Sequence, residues 1–275
     1  MNNEDWILKR KAAVSGYFYP GISSDLKEMV ESMIQPGRDK KKAVCVVSPH
    51  AGLVYSGPVA GAVFSSVLIP ETCVLLGPSH RHSPVPFAVM REGEWETPLG
   101  AVSIHTDLVD MLLEDNDLTK TDITCHSQEH SLEVQLPFLQ YFQPALRFVP
   151  VCVSSETRID ELELFGESLA RCLKRSVEDV LIVASTDLSH YIRSEEARRL
   201  DFLAIQRILD LDAVGLYKTV LGSRISMCGY QPTVAALVAS RALGASDAEL
   251  IRYQTSGDVS GDYDQVVGYA GIRII

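Results

Sequence analysis

Val44-Cys45-Val46-Val47-Ser48-Pro49-His50-Ala51-Gly52 and Cys73-Val74-Leu75-Leu76-Gly77-Pro78-Ser79-His80 follow one plan: a short apolar run, a break at Pro or Gly, then a histidine. A β-branched apolar run bounded by Gly and Pro predicts a buried strand. A third run, Val180-Leu181-Ile182-Val183-Ala184, leads into Ser185-Thr186-Asp187-Leu188-Ser189-His190-Tyr191. Strands that are apolar without alternation belong to parallel sheets covered on both faces. In open sheets of this kind, ligands bind beyond the carboxyl ends of the strands.

Helix-like and strand-like segments alternate outward from these runs. Ser24-Asp25-Leu26-Lys27-Glu28 starts like a capped helix. A second helix is expected around Pro58–Ser66, and helical spacing recurs over Leu132–Phe142, Leu162–Leu173, Ala197–Leu209 and Thr233–Leu243. Phe148–Val153 reads as a strand. Phe87–Met90, Glu94–Thr97 and Val102–Ile104 read as short antiparallel pieces, and Leu250–Gln254 and Gln265–Ile275 as a closing pair around the loop Thr255–Asp264. The expected fold is α/β: one domain over residues 1–275, with a mixed, largely parallel sheet and helices on both faces.

The chain has 275 residues, enough for a substantial core, and a net charge of −11, which argues against a nucleic-acid backbone or an anionic membrane as partner. Met1–Trp6 is acidic with no apolar stretch behind it, so no signal peptide is expected, and no run has the length of a membrane span. The six cysteines lack any Cys-x-x-Cys pair, and a reducing, cytoplasmic setting is expected.

A single His50 or His80 is accounted for by loop hydrogen bonds. Two imidazoles in the same architectural position point to a metal. His190 follows a third strand and suits either ligation or acid–base work near neutrality, with Asp187 as its partner; the alternative for Asp187 and Ser189 is to cap a following helix. Cys228 precedes an apolar helix, whose macrodipole is expected to lower its pKa. His126-Ser127-Gln128-Glu129-His130 matches the His-x-x-Glu-His order of inverted zinc peptidases, yet helical periodicity begins only at Leu132. His130 is then a pocket residue. His82 need not face the way His80 does, His105 reads as structural, and the charged runs at 38–42 and 195–199 read as solvated surface.

The motifs Arg10–Pro20, Pro49-His50-Ala51-Gly52, Gly77-Pro78-Ser79-His80, Thr97-Pro98-Leu99-Gly100, Glu129–Phe138, Ser185–Tyr191, Cys228-Gly229 and Thr255–Asp258 resemble, in order and over nearly the whole chain, those of the Memo family. Lys11 stands where that family commonly has proline. The resemblance implies a fold like the catalytic subunit of class III extradiol dioxygenases. It implies one metal ion held by His50, His80 and Cys228, with His190 and Asp187 as catalytic residues and His130 and Tyr191 lining the substrate pocket. Fe(II) is the first expectation, and a cysteine in place of the dioxygenases' glutamate softens the site toward copper or zinc. The function implied is Fe(II)- or copper-dependent redox chemistry on an unidentified small molecule. The alternatives are a non-catalytic metal- or peptide-binding protein and a zinc hydrolase on His126 and His130. A pathway link to a radical-SAM protein is also implied.

Overall fold

The computed structural model describes residues 8–37, 39–81 and 83–275, so Met1–Trp6, Arg38 and His82 lie outside the described residues. In chain order the elements are β1 (Lys9–Arg10), α1 (Ser23–Met33), β2 (Cys45–Ser48), α2 (Leu53–Ser65), β3 (Thr72–Pro78), β4 (Phe87–Val89), β5 (Glu94–Thr97) and β6 (Gly100–Ile104). Then come α3 (Thr106–Asp115), β7 (Thr119–Thr121), α4 (Ile123–Ser127), a 3-10 turn (Glu133–Gln135), α5 (Leu136–Phe142), β8 (Arg147–Val153), α6 (Ile159–Arg175) and β9 (Val180–Ser185). The chain closes with β10 (His190–Ile192), α7 (Ser194–Leu209), α8 (Ala213–Gly222), α9 (Tyr230–Ala242), β11 (Ala248–Thr255), α10 (Gly257–Ser260) and β12 (Val266–Ile274).

The centre of the sheet is the parallel set β6-β8-β3-β9-β2. Its four apolar strands, β2, β3, β8 and β9, are buried from end to end apart from Arg147 and Val180 at the starts of β8 and β9. Antiparallel pairs flank it: β12 on β2, β11 and β10 on β12, and β5 on β6. The crossover from β2 through α2 to β3 steps one way across β9, and the crossover from β8 through α6 to β9 steps the other way across β3. Right-handed crossovers in opposite directions place α2 and α6 on opposite faces. The expected mixed sheet with helices on both faces is the fold observed.

Local departures from the expected elements have local causes. α2 starts at Leu53, five residues before the expected region, and Pro58 lies inside it. The carbonyl this proline leaves without a helical donor belongs to Val54, which is exposed to water. The expected helix over Leu132–Phe142 is split, because Pro137 cannot donate to the Glu133 carbonyl; Leu136 N–H takes it and tightens the turn. The helix expected after His105 is α3, whereas α4 and α8 lie where no element was expected and α10 lies inside the expected loop. α3 is capped by His105, α4 by Asp122 and α8 by Asp212, each accepting a first-turn N–H.

The N-terminal segment is locked onto residues 126–133. Arg10 pairs with Glu133 in a fully enclosed ion pair, donates to the His126 and Glu129 carbonyls, and lies over the Trp95 ring at 4.0 Å. Glu133 also accepts from the backbone of Ala13 and Val14 and from the Tyr19 hydroxyl. The opening motif therefore meets the charge of the Glu129–Phe138 motif in the interior, and each buried charge is compensated by the other.

Candidate metal centre

β9 lies between β2 and β3, so the residues after these three strands meet at one edge of the sheet. His50 follows β2, His80 follows β3, and Asp187 follows β9. The His50 backbone N–H donates to Asp187 Oδ1 at 2.8 Å, joining the ends of β2 and β9.

The protein sets the tautomer of each histidine. His50 is buried, and its Nδ1 lies 2.9 Å from Ser185 Oγ. That hydroxyl donates to the Ser131 carbonyl at 2.6 Å and accepts from Gln135 Nε2 at 2.8 Å. Its remaining role toward His50 is to accept, so the proton sits on Nδ1 and the Nε2 lone pair is free. His80 Nδ1 lies 2.9 Å from Glu129 Oε1, and the His80 backbone N–H donates to Oε2 at 2.7 Å. A carboxylate only accepts, so His80 likewise carries its proton on Nδ1.

Cys228 completes the group. Its Sγ lies 3.4 Å from His50 Nε2 and accepts the Asp187 N–H at 3.3 Å. One donor atom each from His50, His80 and Cys228 falls within a 4.8 Å sphere of mutual distances. Gly229 makes this approach possible: a Cβ there would meet the Ser185 carbonyl at 2.3 Å. Gly77 does the same for the Glu129 segment, since its Cβ would meet Ser131 Oγ at 2.6 Å. The helix-terminus effect expected to lower the Cys228 pKa is overridden; burial, then the Asp187 carboxylate, pushes the thiol up.

His80, Glu129 and His130 form a second cluster of donors. Glu129 is fully buried, and its Oε1 already accepts His80 Nδ1 and the backbone N–H groups of His130 and Ser131. Burial raises its pKa, but the His80 bond, the nearby imidazole charges and the backbone donors outweigh it and hold the carboxyl below its usual range. With its lone pairs so engaged, Glu129 orients the His80 ring.

His190 Nδ1 lies 2.8 Å from the Ser226 carbonyl, which also places the proton on Nδ1 and frees Nε2. Asp187 accepts the His50 N–H and does not cap a helix; α7 begins only at Ser194. Burial raises the Asp187 pKa to about 6 against that backbone bond. Ser189 caps nothing either, and its buried hydroxyl has no partner among the described residues. Tyr191 sits at a strand irregularity with φ +58° and is 73% exposed. Phe18, His50, His80, His130, His190 and Tyr191 line a cavity of about 330 Å³ together with Asp187. A larger groove of about 560 Å³ runs between α1, β6 and α5, but it gathers no histidine, cysteine or aspartate.

His126 stands apart from this centre. It is fully buried, with Nε2 3.1 Å from the Ala88 carbonyl and Nδ1 3.3 Å from Cys152 Sγ, and burial lowers its pKa to about 4. The His-x-x-Glu-His segment is not one helix: α4 ends at Ser127, and His126 and His130 share neither candidate cluster. His105 is structural, as expected. The sequence had not singled out Ser185 or Gln135 as orienting residues. The one signal was polar side chains inside apolar stretches, and both are fully buried.

A family model described as Memo-like protein matches residues 10–273. MEMO1 family proteins of Methanopyrus kandleri and Archaeoglobus fulgidus are each 41% identical to this chain, covering 96% of it and 98% of their own length. One of Methanosarcina mazei is 40% identical over the same shares. The crystal structure of the uncharacterized protein JW3007 from Escherichia coli K12 matches with a TM-score of 0.50 at 11% identity, over 83% of this chain and 99% of that one, which is a likeness of fold.

Proposed function

This chain belongs to the Memo-like protein family, and we propose that it is a mononuclear metalloprotein of the extradiol-dioxygenase type, with Fe(II) as the first choice of ion and copper or zinc as alternatives. The carrying observation is the meeting of His50 Nε2, His80 and Cys228 Sγ, with both imidazoles protonated on Nδ1. Two neutral imidazoles and a sulfur suit a borderline or soft ion.

His50, His80 and Cys228 would hold the ion. Once bound, it would supply Lewis-acid and one-electron chemistry to a substrate in the cavity. His190 has a free Nε2 facing no protein partner among the described residues and would accept a substrate proton. Asp187 would steady the His50 backbone, and His130 and Tyr191 would hold the substrate against the cavity wall. The partner class is a small molecule or a short peptide segment.

Anaerobic calorimetry with Fe(II) and Cu(I) tests the ligand set. One-to-one binding that is lost in Cys228→Ala is expected; binding indifferent to that change would sink it. Oxygen uptake with a catechol panel, abolished in His190→Ala, tests the chemistry. The second reading, a metal- or peptide-binding protein without turnover, is favoured by Cys228 itself, because a thiolate beside O₂ is open to oxidation. Bound metal without exchangeable water would select it, since catalytic sites keep an open position. A zinc hydrolase on His126 and His130 would require His126 to leave both partners, and metal affinity unchanged in His126→Ala would remove it.

A further inference from the structure

The segment that delivers His190 to the cavity has a backbone its own sequence does not favour. Tyr191 has φ +58°, a left-handed value unfavourable for a bulky side chain, and the register of β10 on β12 shifts between His190 and Ile192. Such a backbone persists where its surroundings impose it. Ser226 supplies part of the constraint: its Oγ accepts the His190 N–H at 2.8 Å, and its carbonyl accepts from His190 Nδ1 at 2.8 Å. The two residues before His190 are tied to β12. The Leu188 N–H donates to the Gly268 carbonyl at 2.8 Å, and the Gly268 N–H donates to the Ser189 carbonyl at 2.9 Å.

The Ser189 N–H is taken by a carboxylate from another element. Asp201 of α7 accepts it on Oδ1 at 2.9 Å, and its Oδ2 accepts the Tyr253 hydroxyl of β11 at 2.8 Å. Asp201 is fully buried and does not line the cavity. Gly268 makes room for it, since a Cβ there would meet Asp201 Oδ2 at 1.9 Å. A backbone amide and a phenol are both neutral donors, and burying a carboxylate on neutral donors is costly. That cost is met at the residue directly before His190. We infer that Asp201 is a positioning residue for His190. It joins α7, β11 and β12 to the Ser189 amide and so fixes where the His190 backbone leaves the sheet. From that position the His190 ring reaches the Ser226 carbonyl through Nδ1 and keeps Nε2 free. The value of this placement rests on the reading of His190 as the group that takes a substrate proton, but the placement itself is measurable without turnover.

The test is long-range proton–nitrogen correlation spectroscopy on the isotope-labelled, metal-free full chain, about two pH units above the ordinary histidine value, where an imidazole is neutral. The His190 signals are assigned by their absence in His190→Ala. Wild-type His190 is expected as a single tautomer with its proton on Nδ1. Asp201→Ala should bring the two ring-nitrogen shifts toward each other, because a ring no longer held at the Ser226 carbonyl samples both tautomers. Asp201→Asn keeps an acceptor for the Ser189 N–H and should restore the wild-type pattern, which a general loss of stability would not do. An unchanged His190 pattern in folded Asp201→Ala would overturn the inference. Should that variant not fold, amide exchange in the wild type decides: the Ser189 N–H is expected to exchange at least about 100-fold more slowly than an open amide, and unprotected exchange would overturn the inference. Oxygen uptake that survives in His190→Ala would count against the proposed reaction and leave the tautomer result standing, so the two readings fail separately.

Discussion

The two ends of the parallel sheet treat histidine in opposite ways. At the carboxyl ends of the strands, His50, His80 and His190 each commit Nδ1 to the protein, to Ser185, Glu129 and the Ser226 carbonyl. Nε2 is left for something else. At the amino ends, His105 commits both nitrogens: Nδ1 accepts the Leu108 N–H at 3.3 Å, and Nε2 meets Glu178 at 3.2 Å beside Arg147 and Thr72. His126, in the interior, is used on both sides as well. What separates a proposed ligand from a structural histidine here is the number of ring nitrogens left over. Burial does not sort them, since His50, His105 and His126 are all buried.

Removing a proposed ligand is the most severe way to break this contrast. Cys228→Ala is expected to weaken Fe(II) or Cu(I) binding by more than the roughly 100-fold typical of losing an orienting partner, read by anaerobic calorimetry. His105→Ala should leave that binding where it was.

The doubly used class predicts a pH effect on stability. His126 is held neutral, with its pKa lowered from 6.5 to about 4 by burial. The unfolded chain binds a proton at this residue below about pH 6.5 and the folded chain only below about 4, so its contribution to stability is present above pH 6.5 and is lost as pH falls through that window. The full loss is about 3 kcal/mol, measured by denaturant titration at several pH values. His126→Gln should flatten the slope, and an unchanged slope would show that other groups set it.

Glu129→Gln sharpens the comparison at its carboxylate. The variant keeps the volume but weakens the charge-assisted hold on His80 Nδ1, and metal affinity should fall about 10- to 100-fold. The smallest effect belongs to the amino end. His105→Ala removes a helix cap and should cost about 1 kcal/mol in chemical denaturation.

Much of the frame was legible in sequence. The runs at 44–47, 73–76 and 180–184 are strands of the parallel set, because a fully apolar β-branched run can lie only where both faces are covered. Helices α4 and α8 were not legible in the same way. Their starts are marked by single caps, Asp122 and Asp212, ahead of short segments without the amphipathic pattern of α6. At the site, the histidines after β2, β3 and β9 were readable as strand-end residues. The orienting roles of Ser185, Gln135 and Glu129 were not, because each acts on a residue far away in the chain.

The sequence by itself determined that this chain builds a buried, largely parallel sheet and delivers His50, His80 and Asp187 to its carboxyl edge, since strand formation and the breaks that end strands are local properties. Only the tertiary structure decided that β9 runs between β2 and β3, that Cys228 reaches His50 across 178 positions, and which nitrogen of each imidazole is free. Those outcomes depend on crossover direction, on the close approach at Gly229 and on hydrogen-bond partners that exist only once the chain has closed on itself.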